Sequence, residues 1–230
     1  MKVLVLGDGL LGSEIVKQTE WDYVSRKKDN IDFTKITSWS ELLLPYDTIV
    51  NCIAYTKTYD PSKELHWNIN YKAVTELVDY CNNHRKKLIH ISTDYVYTNS
   101  VSEASENDIP IHGNNWYSYT KLLADAYIEL KSKNYLICRE THKPNPFPYE
   151  TAWVDQIGNF DYVDEISSLI IKLIKNNSQG IYNVGTELKS IFTLSNSTSK
   201  TNPGLKPENV PSNTSMNLNK LKDAFKEFNQ

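Results

Sequence analysis

The chain has 230 residues, 40% of them hydrophobic, which suits one large packed domain or a domain with a small lobe and excludes a disordered chain or a disulfide-stapled mini-protein. Lys and Arg number 25 and Asp and Glu 28, a net charge of −3, so bulk nucleic-acid binding is excluded as the main role. No apolar run approaches the ~18 residues of a membrane span, and the apolar stretch Lys2–Leu6 is too short for a signal peptide. Cys52, Cys81 and Cys138 are widely spaced in apolar surroundings. They read as free, buried thiols of a reducing compartment, the cytoplasm.

Taken in chain order, strands and helices alternate. Lys2–Leu6 is a buried strand that stops at glycines, and Leu10, Leu11, Ile15 and Val16 follow at helical spacing. Trp21–Ser25 is a second strand and Thr48–Cys52 a third, with a short helix around Ser40–Leu44 between them. Pro61 opens a long helix on which Leu65, Ile69, Ala73, Leu77 and Cys81 recur every four residues. Leu88–Ser92 is a fourth strand. Tyr117–Lys131 is a helix with Leu122, Ala126 and Leu130 on one face, and Tyr135–Arg139 is a fifth strand. This pattern predicts an α/β fold, a Rossmann-type doubly wound parallel sheet over residues 1–139. A small C-terminal α/β substrate lobe follows over residues 140–230. There Pro144, Pro146 and Pro148 forbid a helix, Asp164–Lys175 is an amphipathic helix, Gly180–Val184 a strand, Ser195–Ser215 a loop and Asn217–Phe228 a closing helix.

Gly7-Asp8-Gly9-Leu10-Leu11-Gly12 is G-x-G-x-x-G between a strand and a helix. The first glycine allows a tight turn, the second lets the backbone approach a pyrophosphate, and the third lets helix and strand pack closely. Asp8 is awkward there, because its carboxylate repels a pyrophosphate unless the side chain points away. The second strand ends in Ser25-Arg26-Lys27-Lys28. An acid at this place selects a ribose 2′-hydroxyl and a base a 2′-phosphate, so Arg26 favours NADPH, with NADH as the alternative.

Tyr-x-x-x-Lys occurs four times, starting at Tyr23, Tyr59, Tyr117 and Tyr127, so position has to choose. Tyr117 and Lys121 lie one turn apart at the start of a helix that follows the fourth strand. Thr93 ends that strand, and ligands of such sheets bind at strand C-terminal ends. A carbonyl reduced by hydride needs a proton. A free Tyr, with a pKa near ~10, is a poor acid at neutral pH unless a neighbouring Lys lowers it. Thr93 holds the carbonyl oxygen near Tyr117.

At these residues the sequence resembles the extended short-chain dehydrogenases/reductases, and within them the dTDP-4-dehydrorhamnose reductase group. Ser92-Thr93-Asp94-Tyr95-Val96-Tyr97 is similar to that group's Ser-Thr-Asp-Tyr-Val-Phe. Asn51-Cys52-Ile53-Ala54-Tyr55-Thr56 resembles its cofactor-lining Asn-x-Ala-Ala-Tyr-Thr, and Asn68-Ile69-Asn70 its Val-Asn. Asp155-Gln156 and Gly180-Ile181-Tyr182-Asn183 resemble further segments. The resemblance implies catalysis by Thr93, Tyr117 and Lys121. It implies cofactor contacts from Gly7, Gly9, Leu10, Leu11, Gly12, Ser25, Arg26, Cys52, Ile53, Ala54, Tyr55, Asn70 and Ser92, with Asp32 and Phe33 near the adenine. Asp94, Tyr95, His142 and Lys143 join Thr93 on the substrate side. The implied partner is a nucleotide sugar with a 4-keto-6-deoxy group, with no nucleic acid, membrane or metal, and a homodimer is a family expectation.

The chain departs from the group in a glycine loop one residue shorter, in Lys57-Thr58-Tyr59-Asp60, and in a reduced region after Arg139. A related branch that also epimerises carries a thiol where this chain has Tyr95, which argues against that activity. Two other readings remain open: an NADP-binding regulatory subunit without turnover, and a sugar-nucleotide 4-epimerase of the same fold. Of the remaining candidates, His90 reads as a satisfied core histidine, and Tyr149 and Trp153 as lobe core.

Overall fold

β1 (Val3–Leu6) is buried along its length, as an unbroken apolar run requires. Its side chains alternate, Leu4 and Leu6 entering the core on one face of the sheet and Val3 and Val5 on the other. The structure, a computed structural model, describes residues 1–228. Residues 229–230, the last of the expected lobe, lie outside the described residues. After β1 come α1 (Leu10–Thr19), β2 (Asp22–Val24) and the short α2 (Arg26–Asp29), capped by Ser25, whose hydroxyl accepts from the Lys28 N–H. Two 3-10 turns, Ile36–Ser38 and Glu41–Leu43, stand where a short helix was expected, around the buried Trp39.

β3 (Thr48–Asn51) leads to the long helical run, which has three parts: α3 (Lys63–His66), a π-helical segment Trp67–Lys72, and α4 (Ala73–Asn83). Ala73, Leu77 and Cys81 are core residues as expected, but Leu65 is exposed. A stripe at every fourth residue rotates ~40° per step on a 3.6-residue helix, and the wider π turn shifts its phase again.

β4 (Lys87–Thr93), a 3-10 turn Asp94–Tyr97, α5 (Trp116–Lys131) and β5 (Tyr135–Glu140) follow. The expected buried face of α5 is corrected. Leu130 is 81% exposed, and the buried positions include Lys121, Ala124, Asp125 and Ile128. Apolar periodicity misplaces this face because two of its buried residues are charged and partnered. The remaining elements are β6 (His142–Lys143), β7 (Thr151–Trp153), β8 (Ile157–Gly158), β9 (Asp161–Tyr162), α6 (Val163–Lys175), β10 (Gly180–Asn183), β11 (Lys189–Ser190), α7 (Ile191–Ser195), β12 (Asn202–Gly204), β13 (Asn213–Thr214) and α8 (Asn219–Glu227).

The central sheet runs β2-β1-β3-β4-β5-β10, all parallel, the expected doubly wound α/β architecture. Residues of α4 and α5 cover one face, and those of α1, α6 and α8 the other. β10 and α6, read as parts of the C-terminal lobe, thus belong to the central layers, and the expected boundary at 139 does not divide the fold. What stands apart is a small subcore of Phe147, Ala152, Phe160, Tyr162, Ile191 and Leu194. Trp153 packs on it, whereas Tyr149, expected in the core, is 62% exposed. The expected loop Ser195–Ser215 contributes β12, paired with β7, and β13, paired with β8.

Candidate active site

The sheet order reverses between β2 and β3 around β1, and the glycine loop sits at that switch point. Gly7 has φ +99°, a conformation that favours glycine. A Cβ on Gly12 would lie 2.1 Å from the Gly7 carbonyl oxygen, so only glycine lets α1 approach β1 this closely. Gly9 differs: its φ is −66°, and a Cβ there would meet nothing within 4 Å. Nothing inside the chain requires glycine at this position, and the open space leaves room for a ligand against the backbone. Gly9 is also the N-cap of α1, with no side-chain cap and no acid in the first turn, so the helix N-terminus is available to an anion. Asp8 turns away from it. Its carboxylate accepts from the Ser25 hydroxyl at 3.0 Å, at the end of β2.

A cleft of about 460 Å³ runs from this loop across the ends of β3, β4 and β5. It brings together the expected Gly9, Leu10, Leu11, Gly12, Cys52, Ala54, Ser92, Thr93, Tyr95, Tyr117, Lys121, His142 and Lys143. The Ser92 hydroxyl is buried with no hydrogen-bond partner among the described residues. That orphaned hydroxyl and the open space over Gly9 fit an elongated, phosphate-bearing ligand such as a dinucleotide.

Tyr117 and Lys121 enter the cleft from the first turns of α5, whose N-cap Asn115 accepts from the Ser118 N–H at 2.8 Å. Thr93 closes β4, its hydroxyl donating to Asp94 Oδ1 at 3.2 Å and accepting from the Tyr95 N–H at 3.3 Å. Burial pushes the Tyr117 phenol up and the Glu140 carboxylate adds to this, while a hydrogen bond with Thr93 works the other way. The Tyr117 phenol is thus raised in this structure, with Lys121 one turn further along the helix. The Lys121 Nζ is committed to the Ile91 carbonyl at 2.6 Å and to His90 Nε2 at 3.0 Å. Burial brings Lys121 down to about 8, against the pull of Asp125 and Glu140.

Glu140 is the functional candidate that sequence reasoning missed. It ends β5 directly opposite Thr93 in the strand register, is 4% exposed and lines the cleft. Its carboxylate lies 2.9 Å from His142 Nδ1. Burial acts against the imidazolium of His142, but the charge and hydrogen bond of Glu140 outweigh it, and the pKa is raised. The available signal was the charged pair Arg139-Glu140 at the C-terminal end of a parallel strand, after apolar Leu136-Ile137-Cys138. Thr56, the last residue of the Asn51–Thr56 segment, lines the cleft too, and Thr58, Ile91 and Thr141 do so unexpectedly.

The other expected site residues lie outside the lining. Asn70, buried in the π segment, accepts from the Tyr55 N–H at 2.7 Å and donates to the Tyr55 carbonyl at 3.1 Å, bracketing the loop after β3. Ile53 supports Gly7 from below. Arg26 is exposed beside the buried Ser25. Asp32 binds Thr34 and Lys35 in its own turn, and Phe33 packs on Trp39 in the core. Asp94 lies beneath the cleft floor, 1% exposed, accepting from Thr93 and Thr141.

The chain is similar to several known proteins. It is 27% identical over 206 residues, 80% of this chain and 72% of the other, to the spore coat polysaccharide biosynthesis protein SpsK of Bacillus subtilis strain 168. It is 29% identical over 130 residues, 53% of this chain and 44% of the other, to a probable dTDP-4,6-dihydroxy-2-methyloxan-3-one 4-ketoreductase of Streptomyces antibioticus. Its fold matches dTDP-4-dehydrorhamnose reductase of Bacillus anthracis strain Ames in complex with NADP, with a TM-score of 0.81, 24% identity, and coverage of 97% of this chain and 93% of that one. The sequence model of the RmlD substrate binding domain matches residues 1–142, well over half of the chain, and the chain belongs to that family.

Proposed function

We propose that the chain is an NADPH-dependent reductase of a nucleotide-activated 4-keto-6-deoxy sugar, acting in deoxysugar biosynthesis, and that NADH enters the same site. The observation that carries this reading is the convergence of Thr93, Tyr117 and Lys121 on one cleft with the glycine loop. Its similarity to the Streptomyces antibioticus ketoreductase and to the Bacillus anthracis dTDP-4-dehydrorhamnose reductase supports it.

The glycine-loop N–H groups would hold the cofactor's pyrophosphate and Arg26 its 2′-phosphate, and a nicotinamide held there would supply hydride for C4 of the sugar. Tyr117 gives the ketone oxygen its proton as the alkoxide forms, and the Thr93 hydroxyl donates to the same oxygen once it turns from Asp94 Oδ1, its acceptor in the free protein. Burial and Glu140 keep Tyr117 protonated at neutral pH, the form a reduction consumes. Lys121 reaches the ribose from the cleft wall, and Lys143 and His142 offer positive charge to the sugar diphosphate.

The test is NADPH oxidation with dTDP- or UDP-4-keto-6-deoxyglucose, with and without a 3,5-epimerase. Tyr117→Phe lowers turnover by about 10²–10⁴-fold while leaving cofactor affinity unchanged. Near-full turnover in that variant overturns the assignment of the acid, and failure to bind either dinucleotide overturns the reading.

A further inference from the structure

Asn51, His90 and Lys121 form a side-chain chain across β3, β4 and α5. All three are buried, at 1%, 0% and 1% exposure. Asn51 Oδ1 accepts from the Ile53 N–H at 3.1 Å, which turns its Nδ2 toward His90 Nδ1 at 3.2 Å. On the other side of the ring, His90 Nε2 lies 3.0 Å from Lys121 Nζ.

An uncharged imidazole has one N–H and one lone pair. The Asn51 Nδ2 group only donates, so Nδ1 is the lone-pair nitrogen and the ring proton sits on Nε2, aimed at Lys121. An ammonium also only donates. Every partner is therefore satisfied only when Lys121 is an amine, accepting from His90 and donating to the Ile91 carbonyl. A charged Lys121 sets two donors face to face, unless the ring proton moves to Nδ1 and the Asn51 amide turns over, giving up Ile53.

We propose that His90 is a positioning residue for Lys121. Held as its Nε2–H tautomer by Asn51, it donates to the Lys121 amine in the free protein, and dinucleotide binding brings a proton onto Lys121. The charged and titratable groups facing Lys121 are Asp125 on its own helix, Glu140 on β5 and Cys52 after β3; the group facing His90 is Lys121. Asp125 is already paired with Arg139. Burial keeps His90 uncharged and brings Lys121 into a range where an anionic dinucleotide can shift it. The coupling rests on the proposed reading of the site, whereas the tautomer does not.

The test is a long-range proton–nitrogen correlation of the imidazole rings in the ¹⁵N-labelled full chain at pH 9, above the value of about 8 at which Lys121 loses its proton. The chain has five histidines, and His90→Gln assigns the signal. The expected signal is the Nε2–H tautomer, shifting to Nδ1–H in Asn51→Asp, whose carboxylate accepts from the ring. Calorimetry of NADPH binding at pH 8, in two buffers of different ionisation enthalpy, is expected to show uptake of about half a proton in the wild type and almost none in Asn51→Asp. An Nδ1–H or doubly protonated His90 in the wild type overturns the proposal. A tautomer unchanged in Asn51→Asp overturns the part given to Asn51. NADPH binding without proton uptake overturns the coupling alone, and a chain that does not bind NADPH overturns the coupling together with the proposed function.

Discussion

Asp125 and Arg139 form an ion pair inside the protein, Oδ2 to Nε 3.0 Å, with side chains 1% and 3% exposed. Asp125 lies one turn beyond Lys121 on α5 and Arg139 lies in β5, so the pair clamps the helix that carries Tyr117 and Lys121 onto the sheet. Arg139 also donates to the Tyr97 hydroxyl, which lies 3.2 Å from Asn183 Oδ1. Asn183 in turn donates to the carbonyls of Ala104 and Asn217. Removing the carboxylate leaves a guanidinium buried without its counter-charge. Asp125→Ala is expected to cost about 3–5 kcal/mol, a fall in melting temperature of about 6–20 °C for a chain this size. Urea and thermal unfolding check it. A loss below ~1 kcal/mol would show that Tyr97 alone holds Arg139.

The glycine loop separates a structural glycine from a ligand-facing one. Gly12→Ala drives a methyl group to 2.1 Å from the Gly7 carbonyl. It is expected to cost about 1–3 kcal/mol of stability or more, by overpacking. Gly9→Ala meets no atom within 4 Å and keeps an allowed φ of −66°. Its stability is expected to change by no more than ~0.5 kcal/mol, while dinucleotide affinity falls about tenfold or more. Unfolding curves paired with cofactor titrations compare the two. Equal affinity in Gly9→Ala and wild type would refute a pyrophosphate at that position.

Much of this was legible in the sequence because it is local. β1 is an unbroken apolar run, β3 and β4 have apolar centres, Ile49-Val50 and Leu88-Ile89, and the glycine loop and the Ser92–Tyr97 segment are contiguous. The rest depends on contacts between residues far apart in the chain. The buried face of α5 holds Lys121 and Asp125, which are stable there only because His90 and Arg139 meet them from the sheet. No periodicity of α5 announces those partners. Asn70 was legible as a motif residue but not as the bracket of Tyr55, since the π segment that aims it carries no sequence signal. Glu140 was hidden because a charge at the end of an apolar strand reads as the strand's edge until the register sets it opposite Thr93.

Asp8 bears on cofactor choice. Its carboxylate, 3.0 Å from the Ser25 hydroxyl, brings to the end of β2 the acid that the strand itself lacks. Under the proposed function it opposes a 2′-phosphate and accepts from a 2′-hydroxyl, while the neighbouring Arg26 does the reverse. Asp8→Asn is expected to raise the NADPH-to-NADH ratio of kcat/KM about five- to tenfold, or about 1 kcal/mol, and Arg26→Ala to lower it. Steady-state kinetics with both cofactors decide. Ratios unchanged in both variants would place the adenosine ribose elsewhere.

Asp94 gives the pH dependence. Burial pushes its carboxyl up to about 6, against the pull of the hydrogen bond from Thr141. Because the folded-state pKa lies above the unfolded value of 3.8, the fold favours the protonated acid. The resulting stability is fully present below pH 3.8 and is lost as pH rises through about 6, a change of roughly 3 kcal/mol. Asp94→Asn cannot ionise. Relative to wild type it is therefore expected to gain stability progressively between about pH 4 and 6.5, and to hold a constant advantage above that. Urea unfolding of both proteins from pH 4 to 8 measures the effect. A stability difference that stays flat across the series would mean that Asp94 ionises as an ordinary carboxyl does.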